Sequence, residues 1–183
     1  MMTRKQVEEG RKIAEEMIKK SGIIVTQKEI ESMDVADFGL ENYPTEGAQI
    51  ITLLDTKKVG LKIICLMEGQ VLPEHKHITT FGEEGKEETF RVVSGTLRLF
   101  VPGESNVSYG SKTPWPEGKD EYYTCRKELV LNPTDQVTLP PGTSHWFMGG
   151  AGGCVTYTIS SWDRSDFDPF TDPNAVRKTV IVD

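Results

Sequence analysis

The chain is poor in the residues that most often advertise chemistry. It has three histidines and three cysteines in 183 residues. Cys65, Cys125 and Cys154 are far apart, odd in number and form no CxxC pair. That excludes a disulfide framework and a thiolate metal knuckle, and points to reduced thiols in a cytoplasmic protein. Cys65 and Cys154 fall in apolar strand patterns and are expected in the core. No apolar run is long enough to span a bilayer. The segment from Met1 to Lys20 is charged throughout, unlike a secretory leader. Positive charge is outweighed: the formal net charge is -7. Nucleic acid and anionic membrane surfaces would repel such a chain and are excluded as partners. No solenoid-length repeat is visible.

What is present reads as one domain over 1–183, a length that can bury a useful core. Residues 1–47 form a helical segment, 48–162 a barrel, and 163–183 a tail packing near the barrel mouth. Arg4 to Lys20 places Val7, Ile13, Ala14, Met17 and Ile18 near one stripe, with Gly22 as a stop. Thr26-Gln27-Lys28-Glu29 is a capping box that opens a second short helix. From Gln49 the pattern turns to short β-type runs. Val59, Leu61, Ile63, Cys65 and Met67 alternate as the buried face of one strand. A long strand runs from Glu87 to Val101, interrupted at Ser94-Gly95. Shorter strands follow at 128–131, 136–139, 145–147 and 154–161. Many short strands separated by turns predict an all-β antiparallel barrel or jelly roll, with helices in front. The polar stretch 102–121, with Trp115 between two prolines, is long enough to suggest a lid or a partner contact.

The three histidines are clustered by motif. His75 and His77 stand in Pro73-Glu74-His75-Lys76-His77. His145 follows Pro140-Pro141-Gly142-Thr143-Ser144. Alternate strand residues share a face, so His75 and His77 can reach one ion. The same parity puts Lys86, Glu88, Phe90 and Val92 together, which selects Glu88 over Glu87. His75, His77, Glu88 and His145 form a coherent ligand set for a divalent transition metal, from manganese to zinc.

These motifs resemble the two signatures of the cupin superfamily. Gly69 precedes His75, Glu88 precedes Gly95, and Pro140-Pro141-Gly142 precedes His145 at the superfamily's distances. Thr134 replaces the leading glycine of the second motif, Gly149 replaces its closing asparagine, and the gap from His77 to Glu88 is wide. A nearer resemblance is to the D-lyxose isomerase family. It rests on the histidine motifs, Gly85-Lys86-Glu87-Glu88-Thr89-Phe90-Arg91, His145-Trp146-Phe147, Phe170-Thr171-Asp172-Pro173 and Asp37-Phe38-Gly39-Leu40. It implies a small cupin barrel, a manganese ion, a homodimer and a monosaccharide substrate. The implied reaction interconverts D-lyxose and D-xylulose, with mannose to fructose as a related activity.

Such a reaction moves one proton between C2 and C1 and another between the two oxygens, here by an enediol route rather than a hydride shift. Lys86, on the face of Glu88, is the candidate proton donor. Asp172, matched to an acidic residue before proline in the family, is the candidate base, with Asp168 in reserve. Arg177 is a fork-shaped donor for hydroxyls or for Asp172. Lys62 matches a family lysine, although alternation alone puts it on the solvent face. Phe90 and Trp146 neighbour the ligands and are candidates for an apolar wall, one of them serving as plain core. Other cupin chemistries stay open on the residues alone: a phosphosugar isomerase, a metal dioxygenase, or a non-catalytic sugar-binding barrel.

Overall fold

The computed structural model describes residues 1–109 and 113–183. Two capped helices precede the sheet. Thr3 accepts from the Gln6 amide and Gln6 reaches back to Thr3, so the first orphan donors of α1 (Arg4–Ser21) are satisfied. Gly22, in the left-handed region at φ 83°, ends it. The expected Thr26/Glu29 box opens α2 (Gln27–Glu31). The inward stripe of α1 differs from expectation at one position. Ile13 is 42% exposed, and Gly10 is buried in its stead. A Cβ at Gly10 would stand 2.2 Å from the Tyr43 hydroxyl, so only glycine allows that approach.

The strands are β1 (Met2–Thr3), β2 (Asp34–Ala36), β3 (Ala48–Asp55), β4 (Gly60–Leu66), β5 (Val71–His75), β6 (Glu88–Val101), β7 (Lys127–Leu131), β8 (Gln136–Leu139), β9 (His145–Ser160) and β10 (Ile181–Val182). β1 and β10 form a small parallel pair. The others build one antiparallel sheet in the order β2-β3-β4-β9-β6-β7, with β5 on β9 and β8 on β6. This is the expected all-β class with leading helices. The stretches expected as separate strands at 145–147 and 154–161 are one strand, β9, carried through Gly149, Gly150, Gly152 and Gly153.

β6 and β9 are the spine. Glu88 pairs with Ser160 at one end of their ladder and Phe100 pairs with Trp146 at the other. Yet His145 and Glu88 come within 3.6 Å. The two strands therefore double over, as a jelly roll requires. They bend at register shifts between Val92 and Ser94 and between Gly95 and Leu97, where the interruption was expected. Among the described residues, no strand pairing joins β2 to β7 and closes the ring.

The inner face of the roll gathers Ile50, Ile64, Leu66, Phe90, Val92, Leu97, Leu99 and Phe147 into one cluster. The outer face of β3 and β4 is covered by α1 and α2: Val7, Ala14 and Ile18 pack on Ile51, Ile63, Cys65 and Val155. β4 is thus buried on both faces, and the Leu61/Ile63/Cys65 face is the helix side, not the barrel interior. On another outer face, Phe100, Trp146 and Met148 are covered by Trp115, Tyr123 and Cys125 from the long connection. Residues 110–112 of that connection, which was expected as a lid or a partner contact, lie outside the described residues. No helix among the described residues is long and apolar enough to cross a membrane.

Candidate metal centre and sugar site

Three strand ends converge at one mouth of the roll. β5 ends at His75, β9 begins at His145, and these two residues are direct ladder partners. Doubling of β6 over β9 brings Glu88 beside them. His77 lies two residues beyond the strand end and joins the same group. One ligand atom from each of the four lies within 4.8 Å of the others, and all four residues are buried. His77 Nε2 is 3.1 Å from Glu88 Oε2, and His145 Nε2 is 3.6 Å from the same oxygen. Gly85 is what lets Lys86 and Glu88 approach: a Cβ there would sit 2.0 Å from the His77 carbonyl oxygen.

Each imidazole is fixed by its outer nitrogen. His75 Nδ1 donates to the Pro73 carbonyl at 2.9 Å, and His145 Nδ1 to the Thr143 carbonyl at 2.9 Å. His77 Nδ1 donates to Asp168 at 2.6 Å. A ring with Nδ1–H committed outward presents the Nε2 lone pair inward, which is how metal-bound histidines are oriented. His145 Nε2 is buried and has no hydrogen-bond partner. A buried orphan acceptor beside a carboxylate is costly unless a cation meets it. The residues present therefore fit a divalent ion.

The electrostatics agree. Burial, with the neighbouring His145 and His77, pushes His75 well below its usual range, so it stays neutral. Burial opposes charge at His77 too, but the Asp168 and Glu88 carboxylates outweigh it and raise its pKa. Burial would raise Glu88, yet Lys86 and the two histidines hold it well below the carboxylate range. Lys86 donates to Glu88 Oε1 at 3.0 Å and to Ser165 Oγ at 3.1 Å, and pairs with Asp163 at 3.2 Å. Burial disfavours the Lys86 ammonium, but Glu88 and Asp163 overcome that and keep it charged. Asp163 also pairs with Lys62.

A cavity of about 40 Å³ adjoins the cluster. Its polar side carries His75, Glu88, Lys86, Lys62, Asp168 and Arg177, and its apolar side Phe38, Ile64, Phe147 and Phe170. Several candidate residues stand differently from expectation relative to this wall. Lys62 is not on a solvent face; it shares the interior side of β4 with Ile64 and Leu66, because the other side faces the helices. Asp172 does not line the cavity. Its carboxylate is bound by Lys119 at 3.0 Å and by the Asn174 amides, in a network with Glu46. Asp168, the reserve, is the tail carboxylate at the site. Trp146 does not line the cavity either. It points from β9 opposite to His145 and stacks on Phe100 at 3.7 Å, with its indole donating to the Cys125 carbonyl. Phe90 is fully buried beneath His145, with ring centroids 5.8 Å apart, and packs on Phe147. It supports a ligand from below and does not face the cavity. Arg177 lines the cavity and donates to Asp34 at 2.8 Å, not to Asp172.

Sequence reasoning missed Ser165 and Phe170 as wall residues, and Asp163 as the carboxylate that pairs with both Lys62 and Lys86. In the sequence Asp163 is one of five aspartates of the tail 163–183. The usable signal was its place three residues past the end of β9, whose ladder partner β4 carries Lys62.

Comparison with known proteins followed the same lines. The family model described as D-lyxose isomerase matches residues 11–181. A "D-lyxose ketol-isomerase" of Cohnella laeviribosi is 43% identical over 173 residues, covering 94% of each chain. A "D-lyxose/D-mannose isomerase" of Thermosediminibacter oceani is 37% identical over 183 residues, covering all of both chains. Among solved structures, Cellulomonas parahominis L-ribose isomerase with L-ribose superposes at a TM-score of 0.80, covering 99% of this chain and 98% of that one. At 16% identity that likeness speaks for the fold alone.

Proposed function

We propose, from the premise that this chain belongs to the D-lyxose isomerase family and is a sugar aldose–ketose isomerase, that it interconverts D-lyxose and D-xylulose, with D-mannose and D-fructose as a second pair. His75, His77, Glu88 and His145 would hold a divalent ion, manganese in this reading. The observation that carries it is the set of three imidazoles fixed outward at Nδ1, whose inward nitrogens meet Glu88 beside a buried ammonium.

When bound, such an ion supplies Lewis-acid polarisation of a carbonyl and the adjacent hydroxyl. The chain's own groups do the rest. Lys86, kept charged by Glu88 and Asp163, donates a proton to O1 as the enediol forms and takes one back from the O2 hydroxyl as the ketose forms, so it ends as it began. Asp168 is the carboxylate of the tail that reaches the cavity. It takes the proton from C2 and returns it at C1, so the sugar passes through an enediol with no hydride moved. It keeps one oxygen on His77 meanwhile. Phe38 and Phe170 exclude water from the reacting carbons. Lys62 and Arg177 bind hydroxyls at the mouth. The same reading has a homodimer, acting as one domain per chain in the cytoplasm; three buried, free cysteines support a reducing compartment.

The test is deuterium incorporation at C2 of D-lyxose in heavy water, followed by NMR, after chelation and reloading with manganese. Exchange and ketose formation are expected only in the reloaded protein. No exchange in fully loaded protein overturns the reading. Asp168→Asn is expected to keep the ion and lose exchange.

A further inference from the structure

The inner cavity is too small for a whole sugar. Its volume of about 40 Å³ equals the space of about three waters, at roughly 10–15 Å³ each. A pentose has about ten non-hydrogen atoms. The cavity can take the reacting end, C1 and C2 with their oxygens, and little more. The rest of the substrate must lie elsewhere. A second, outer groove shares three wall residues with the cavity: Lys62, Ser165 and Arg177. The two spaces border the same side chains, so the outer groove is a neighbouring space for a substrate longer than the cavity.

The outer groove is flanked by an aromatic pair. Phe81 and Phe167 meet edge to face, with centroids 4.9 Å apart and planes at 89°. They are 74% and 54% exposed. Phe81 sits at the tip of the widened gap between His77 and Glu88. Thr80 and Glu83 exchange two 3.0 Å backbone hydrogen bonds around Phe81-Gly82. Both central residues have positive φ, 55° and 78°. A two-residue turn of that hand favours Asn-Gly, and a bulky residue at its first centre is strained. Strain kept against local preference is a pointer to function. Arg164 then fastens this turn to the tail. Its guanidinium donates to Thr80 Oγ1 at 2.6 Å and to the Glu83 and Glu84 carbonyls. That holds Phe81 against Phe167, which ends the turn Ser165–Phe167.

We infer that this outer groove is a distal subsite, in which Phe81 and Phe167 pack on the C–H face of the open-chain sugar beyond C3 and set how well a six-carbon substrate is used relative to a five-carbon one. The inference rests on the isomerase reading above. A hexose extends one carbon further along the groove, so it depends more on the two rings.

The experiment is steady-state kinetics of the manganese-loaded protein on D-lyxose and D-mannose. Phe167→Ala is expected to lower kcat/KM for mannose about tenfold and for lyxose about twofold. Phe81→Asn suits the turn better while removing the ring, which separates ring from loop. It is expected to show the same mannose-selective loss. Equal losses on both sugars, with ion content retained, would overturn the subsite, as would full mannose efficiency in Phe81→Asn. If the loaded wild type turns over neither sugar, the isomerase reading fails, and this inference falls with it.

Discussion

Lys86→Met tests the electrostatic reading most directly. The substitution keeps the apolar stem as far as Cε and removes an ammonium on a side chain that is almost wholly buried. Three contacts vanish: those to Glu88 at 3.0 Å, to Ser165 at 3.1 Å and to Asp163 at 3.2 Å. Removing one member of a buried ion pair costs about 3–5 kcal/mol, because its partner is left uncompensated. Here the cost falls toward the lower end. Asp163 retains Lys62, and Glu88 retains His77. About 3 kcal/mol, at roughly 2–4 °C per kcal/mol for a chain of this size, lowers Tm by about 6–12 °C in metal-free protein. Manganese should restore part of that loss, since the ion supplies Glu88 with another positive neighbour. Turnover should not be restored. Loss of a positioned proton donor costs about 10²–10⁴ in rate. The assay is thermal unfolding with chelator and with saturating manganese, alongside lyxose turnover. An unchanged metal-free Tm would refute the buried-pair argument. Turnover within tenfold of wild type would refute Lys86 as the donor.

Glu88→Gln should bind manganese far more weakly, because it removes the one formal negative charge of the ligand set; elemental analysis after gel filtration checks this. Asp172→Asn should lower Tm by loosening Lys119 from the tail, yet retain most turnover, whereas Asp168→Asn should abolish it; if the two exchange places, the correction made on geometry is wrong. Trp146→Ala should destabilise by about 3–5 kcal/mol, measured by urea unfolding, and leave sugar preference intact, since the ring packs outside the cavity. Burial opposes ionisation of Asp163, but Lys86 and Lys62 outweigh it and depress its pKa. Its stabilisation is therefore full above the unfolded value of about 3.9 and is lost as pH falls through the folded one. Metal-free wild type should accordingly lose stability more steeply than Asp163→Asn below about pH 4 in an acid titration.

Much of the centre was legible in the sequence because strand geometry is rigidly periodic. Parity alone selected Glu88 over Glu87, and Glu87 is indeed exposed. The Pro-Pro-Gly turn and the capping boxes are local devices, and they act where local reasoning puts them. Misreadings came where one strand has two buried faces. On β4 the Ile63/Cys65 face is buried as expected, but alternation then sends Lys62 to solvent, whereas it lines the cavity. Only the packing of α1 and α2 reveals that those residues face helices. Trp146 and Asp172 stand away from the cavity for a related reason. Proximity in sequence to a ligand, or to a family motif, does not say which side of a sheet a residue faces. The tail's register, fixed by the bridge between His75 and Phe170, is a long-range fact that no local pattern carries.

The outward anchoring of the imidazoles bears on how the chain would take up the proposed ion. Two of the three rings are held by main-chain carbonyls that belong to the very segments entering and leaving the sheet. Their orientation is therefore a by-product of strand pairing and needs no ion to set it. Under the proposed metal-dependent reading, such a chain would mature by capture: the sheet would form first, through slow, distant pairings, and the cation would arrive afterwards at a receptacle that already has its shape. Stripping and reloading should then be cycles of occupancy rather than of refolding, with amide exchange in β5 and β9 nearly the same in both states.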